Sequence, residues 1–181
     1  MKRIVRFLKA VWFVYKTGSK EIEEMRKRAL YDYLTGVYNK WCLFEIGIRE
    51  VERAKRYRYS LSLILVDIDG LKLINDKEGH LKGDEVIKKV AKLLEISCRK
   101  SDLVFRFGGD EFIILCPKTK KEGCNKIVKR IKNEAKKQKI GLSCGVAEYS
   151  NIDEVEISEK ILKKMIMFAD YKMYEDKRNK K

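Results

Sequence analysis

A single histidine, His80, stands in the 181 residues of the chain, which excludes a histidine-rich metal site, argues against a histidine-based triad and leaves His80 a structural reading. The five cysteines (Cys42, Cys98, Cys116, Cys124 and Cys144) contain no C-x-x-C pair. Cys116 and Cys144 lie inside apolar runs, where a reduced thiol acts as a small hydrophobe, so a reducing cytoplasm is the expected compartment. No apolar run is long enough to span a bilayer: the opening Met1 to Tyr15 stretch is too short and is interrupted by Arg6 and Lys9. It also lacks a signal-peptide cleavage pattern. Neither an internal repeat nor a low-complexity linker divides the chain, so one catalytic-sized core with a short extension is expected.

What is abundant is positive charge. Forty-two Lys and Arg face 27 Asp and Glu, a formal +15, which concentrates anions such as nucleotides, nucleic acid or acidic lipid without choosing among them. Much of it falls on helix faces, with Lys88, Lys89 and Lys92 in one place and Lys126, Lys129, Arg130 and Lys132 in another, where solvation explains it. No nucleic-acid-binding motif accompanies the charge, so no nucleic-acid partner is expected.

Residues 1–30 read as an N-terminal basic amphipathic helical segment. Ile4, Leu8, Val11 and Tyr15 recur at helical spacing among basic residues, a helix suited either to peripheral contact with the inner face of a membrane or to pairing with a partner helix. Thr17-Gly18-Ser19 is expected to break it, with Ser19 capping a second helix whose first turn carries Glu21, Glu23 and Glu24. Residues 31–181 then form the domain. The pattern predicts helices over 40–57, 83–98, 124–136 and 158–176, and strands over 61–68, 105–107, 112–116 and 140–147. Strand, helix, hairpin, helix, strand gives an α/β (α+β) fold of ferredoxin-like, palm type, its helices on one face of a central sheet.

The chemistry collects at strand ends. Leu63-Ile-Leu-Val-Asp67-Ile68-Asp69 closes an apolar strand with two acids at alternate positions, hence on one face, an arrangement suited to a hard divalent cation. Two solvated acids leaving the core would look the same, so more carboxylates are needed. Gly108-Gly109-Asp110-Glu111 supplies them at a hairpin tip, where glycines accept positive φ and let a ligand approach the backbone.

Arg106-Phe-Gly-Gly-Asp-Glu-Phe112 is similar to the signature of the GGDEF family of diguanylate cyclases. Asp32-Tyr-Leu-Thr-Gly-Val-Tyr-Asn39, the Asp67 to Asp84 segment, Ser143-Cys-Gly145-Val-Ala147 and Ala169 to Lys177 extend the likeness, in order, over most of the chain. The resemblance implies a nucleotide-cyclase fold whose hairpin carries the motif. It also implies condensation of two GTP into cyclic di-GMP and two pyrophosphates across a homodimer. Asp67, the carbonyl of Ile68, Asp110 and Glu111 would hold Mg²⁺, with Mn²⁺ as the alternative ion, and Asp110 is the candidate general base. Lys72, Lys177 and the amides near Gly70 and Leu71 would meet phosphates, and Asn75 and Asp84 would read guanine. Asp76, beside them, reads as an ordinary helix cap. Asp32 and Arg106 would pair. Arg99-Lys-Ser-Asp102 is similar to the family's inhibitory site for the product.

Two departures carry expectations of their own. The family's Gly-Arg-Asn after the Lys177 segment is absent, with Lys181 where the arginine would stand, so weaker GTP binding is expected. Gly70 and Leu71 replace aromatics that often precede the lysine. Two rival readings are a non-catalytic cyclic di-GMP receptor or scaffold, against which the retained acids argue, and a palm-type polymerase, for which the chain has no room for template-handling domains.

Overall fold

The computed structural model describes residues 18–150 and 156–180. A helix over residues 18–30 (α1) leads to α2 (Lys40–Tyr57), β1 (Leu61–Ile68), α3 (Leu71–Glu78), α4 (His80–Ser97), β2 (Leu103–Arg106), β3 (Glu111–Pro117), α5 (Lys121–Lys137), β4 (Leu142–Tyr149) and α6 (Ser158–Arg178). The four strands form one antiparallel sheet in the order β2-β3-β1-β4. This is the strand order of a split βαββαβ fold, with β1 central and β4 at an edge.

All eight residues of β1 are buried. A strand that reads as a continuous apolar run is covered on both faces, and here alternation sends its residues into two cores. Ile64, Val66 and Ile68 pack with α4 and α5, while Leu61, Leu63 and Leu65 pack with α2 and α6. The expectation of helices on one face is therefore corrected. The helices inside the βαββαβ unit do share a face, but the flanking α2 and α6 cover the other. Gly47 of α2 lies against Leu162 of α6, where a Cβ would meet the leucine side chain at 2.8 Å.

The expected helix over 83–98 is α4, which begins three residues earlier at His80, and the short α3 before it was not expected. Gly79, at φ 83°, separates the two, and its N–H closes α3 on the carbonyl of Asn75 at 2.9 Å. Asp76 therefore lies inside α3 and caps nothing. Gly18 and Ser19 are already helical in α1, so Ser19 does not stand before that helix as its cap, while Thr17 lies outside the described residues. The proposed helix through Ile4 and Tyr15 lies outside the described residues. Strand β4 starts at Leu142, later than the predicted residue 140, because the Ile140 N–H turns back to Ala135 at the end of α5. No helix among the described residues is long and apolar enough to cross a membrane. All five cysteines are free, and only Cys98 is not fully buried.

Candidate active site

The register of β1 with β3 puts Asp67 opposite Glu111, and Phe107 and Gly108 both donate to the Glu111 carbonyl, at 2.9 and 3.2 Å. The hairpin tip is tied to the end of β1 by the Ile68 N–H, which donates to the Asp110 carbonyl at 3.1 Å. Asp67, Asp110 and Glu111 thus converge from two strands. Neither Gly108 nor Gly109 has positive φ, contrary to expectation. A Cβ at Gly108 would lie 2.7 Å from the Glu111 carboxylate and push that side chain aside.

Arg106 sets the shape of the tip. Its guanidinium donates to the carbonyls of Gly108 (3.2 Å) and Gly109 (2.8 Å) and to Asp32 Oδ1 (3.0 Å). Asp32 also accepts from the amide and hydroxyl of Thr35, at 3.0 and 2.6 Å, in a turn completed by Gly36 at φ 75°. The expected ion pair and the expected capped turn are therefore the same residue. Burial alone would raise the Asp32 pKa, but the bonds from Thr35 and Arg106 outweigh it and hold the carboxyl below its ordinary value.

Asp67 and Asp69 differ in their partners. Asp67 is 6% exposed and accepts from Lys177 Nζ at 2.6 Å. Asp69 lies past the last residue of β1, accepts from Ser143 Oγ at 2.6 Å and Lys180 Nζ at 2.9 Å, and donates its own N–H to Gly141. Burial raises the pKa of Asp67 despite Lys177, with Asp110 and Asp69 adding to the rise. Glu111 is raised for the same reasons, burial first and then Asp110, Asp67 and Asp170. Crowded acids of this kind fit a divalent cation, which would relieve their repulsion. Among the described residues no three acid, cysteine or histidine side chains form a ligand cage by themselves. The donor set fits Mg²⁺, which takes one or two carboxylates and fills its shell with water and phosphate oxygens.

Gly70, at φ 73°, turns the chain from β1 into α3 and presents the first amides of that helix beside the acids. Leu71 is buried beneath this turn and Lys72 is exposed. Asn75 lies one turn further along α3, and its Oδ1 is buried without a hydrogen-bond partner among the described residues. Gly83 makes room for it, since a Cβ there would collide with the Asn75 amide. Asp84 follows on α4, half-buried and beyond the first turn. His80 is exposed at the first position of α4.

The Arg99 to Asp102 turn is distinct. Asp102, 8% exposed, accepts from the Arg99 N–H at 2.8 Å, and its own N–H returns to the Arg99 carbonyl at 3.0 Å. Arg99, Lys100 and Asp102 line a cavity of about 280 Å³ together with Tyr31 and Tyr38.

Sequence reasoning missed the cluster behind the acids. Lys180 bonds Asp69 and Ser143 and lies 3.6 Å from Asp176, which is gripped by Lys132. The i, i+4 spacing of Asp176 and Lys180 was the one trace of it, since Lys132 is 44 residues away. Lys181 lies outside the described residues.

The sequence matches the family described as diguanylate cyclase, GGDEF domain, over residues 29–181. It is 36% identical over 144 residues to the diguanylate cyclase DgcS of Shewanella oneidensis, an alignment covering 77% of this chain and 49% of that protein. The chain thus spans about half the length of that relative. Among solved structures, it resembles the Pseudomonas aeruginosa diguanylate cyclase SiaD, crystallised with its activator SiaC, at a TM-score of 0.76 and 27% identity, covering 98% of this chain and 72% of that one. The GGDEF domain of DgcB from Caulobacter crescentus, in complex with c-di-GMP, aligns with a TM-score of 0.74 and 25% identity over 84% of this chain and 90% of that one.

Proposed function

The chain belongs to the GGDEF family, and from that premise we propose that it condenses two GTP molecules into cyclic di-GMP and two pyrophosphates. Each subunit of a homodimer holds one GTP, so that the 3′-hydroxyl on one faces the α-phosphorus on the other. The observation that carries this reading is the convergence of Asp67, Asp110 and Glu111, two of them with raised pKa values, beside a helix start and a buried, unpartnered Asn75 carbonyl. Acids with such pKa values want a cation, the helix start wants an anion, and the Asn75 oxygen lacks a donor. A metal-bound guanine nucleotide supplies all three.

Asp67, the Ile68 carbonyl and Asp110 would hold Mg²⁺ or Mn²⁺, with Glu111 assisting; when bound, the ion offsets charge on the phosphates and favours ionisation of the hydroxyl. Asp110 accepts the proton of the 3′-hydroxyl as that oxygen attacks phosphorus and the bond to pyrophosphate breaks. Lys72, Lys177 and the amides at Gly70 and Leu71 bind phosphate oxygens. Asn75 and Asp84 hold guanine, the Asn75 oxygen and the Asp84 carboxylate accepting from its N1 and N2 donors. Arg99 and Asp102, beside their cavity, would take up the product and slow the enzyme. A cytoplasmic setting, where GTP and free thiols coexist, fits this assignment.

Titration calorimetry with a non-hydrolysable GTP analogue and Mg²⁺ tests the site before any turnover. The wild type binds, Asn75→Ala weakens binding by about tenfold, and the ATP analogue binds no better to the wild type than the GTP analogue does to Asn75→Ala. Equal affinity for the two nucleotides in the wild type would refute the guanine assignment.

A further inference from the structure

Strand β4 is an edge of the sheet, so half of its backbone N–H groups point away from β1. One of them, from Cys144, donates to Asp176 Oδ2 of α6 at 2.9 Å. The same carboxylate is gripped from the other side of the sheet. Lys132 of α5 reaches round the edge, its Nζ 2.6 Å from both Asp176 oxygens. Helices α5 and α6 belong to opposite layers, so this pair clasps the two layers together across the open edge.

The residue after Asp176 is Lys177, whose ammonium meets Asp67 at 2.6 Å. Upstream, α6 rides directly on β4 at Gly145, where a Cβ would collide with the helix backbone at Ala169 and Met173. Helix α6 is thereby fixed at two points along β4, and Lys177 projects from the second. Burial works to raise the Asp176 pKa, yet the bonds from Lys132 and the Cys144 N–H keep it below the ordinary aspartate value, as a fixed and fully charged anchor requires.

We infer that Asp176 is a positioning residue for substrate binding: clasped by Lys132 and the Cys144 N–H, it fixes the last turns of α6 so that the Lys177 ammonium is aimed at Asp67 and the triphosphate. The inference rests on the proposed role of Lys177 toward GTP. It differs from a stabilising ion pair in what it predicts, because its effect must pass through Lys177. Asp176→Asn keeps the shape and removes the charge that Lys132 grips. Lys132→Met removes the grip without touching α6. Lys132→Arg keeps it, since a guanidinium bonds both oxygens of a carboxylate.

The first readout needs no nucleotide. In the full-length protein, acetylation of Lys177 by an N-hydroxysuccinimide ester is followed by mass spectrometry, with exposed Lys163 as the internal standard; the Lys177 side chain is 41% exposed and open to reagent. Asp176→Asn and Lys132→Met are each expected to speed Lys177 labelling by about threefold and Lys132→Arg to leave it unchanged. The second readout is kinetic: Asp176→Asn raises KM for GTP by about five- to tenfold with kcat within about twofold, and adds nothing further in a Lys177→Met background. Unchanged labelling in both variants overturns the inference, as does an equal rise in KM with Lys177 already removed. If Asp176→Asn fails to fold, Lys132→Met decides alone. Faster labelling in a protein whose wild type binds no GTP supports the clasp and overturns the GTP assignment instead.

Discussion

The end of β1 and the Arg99–Asp102 turn are both built from acids beside basic groups, yet they have opposite electrostatics. At Asp102 the carboxylate is satisfied by the backbone N–H it caps, and the turn folds on itself. At Asp67 and Glu111 burial and mutual repulsion raise both pKa values, and Lys177 only partly offsets this at Asp67. Satisfied charge stabilises a fold, whereas crowded charge costs stability and is retained where a ligand completes it. The two regions should therefore respond in opposite ways to loss of an acid.

The largest effect is expected at the hairpin tip. Asp110→Ala should lower cyclic di-GMP formation by about a thousandfold or more while leaving the melting temperature unchanged or slightly higher. Calorimetry beside a product assay checks both halves, and a large fall in melting temperature would remove the contrast. Next comes the tie between tip and turn. Asp32→Asn breaks a largely buried pair with Arg106 and should cost about 2 kcal/mol, measured by urea unfolding at neutral pH. Because the native pKa of Asp32 lies below its ordinary value of 3.8, the unfolded chain takes up the proton first as pH falls. The contribution is therefore full above that value and is lost as pH drops through the lowered one. Wild type and Asp32→Asn should converge in stability in strong acid; a constant difference down to the lowest pH at which both remain folded contradicts this.

Gly83→Ala sharpens the comparison from the nucleotide side. The added methyl displaces the Asn75 amide, so GTP affinity should fall about tenfold. Smallest is Asp102→Asn, which should cost about 1 kcal/mol of stability, leave the initial rate alone and weaken inhibition by added cyclic di-GMP. An initial rate reduced as severely as in Asp110→Ala would place both regions in one site.

Much of this was legible in the sequence. Helix α2 and strand β1 end where periodicity put them, because Asn39 caps the first and an unbroken apolar run marks the second. The acids and the GGDEF string were visible as residue types at strand ends. Three features were not. The second helical layer was hidden because a strand buried on both faces shows no alternation to reveal what covers it. Helix α3 was hidden because its eight residues are too few for periodicity to mark them as a helix. The clasp at Asp176 was hidden because Lys132 lies far off in sequence among many lysines that look alike. Gly108 was expected for its conformational freedom, yet it lies at ordinary φ and instead leaves room beside the Glu111 carboxylate.

The central claim is that the crowded acids at the end of β1 exist to turn over GTP. Incubating concentrated protein with GTP and Mg²⁺, with Asp110→Ala alongside, and separating the nucleotides by chromatography tests it most directly. Cyclic di-GMP and pyrophosphate formed by the wild type alone is the predicted result. No product from a wild type shown to be dimeric and GTP-bound, while it still binds cyclic di-GMP, would contradict the claim and leave a receptor in place of an enzyme.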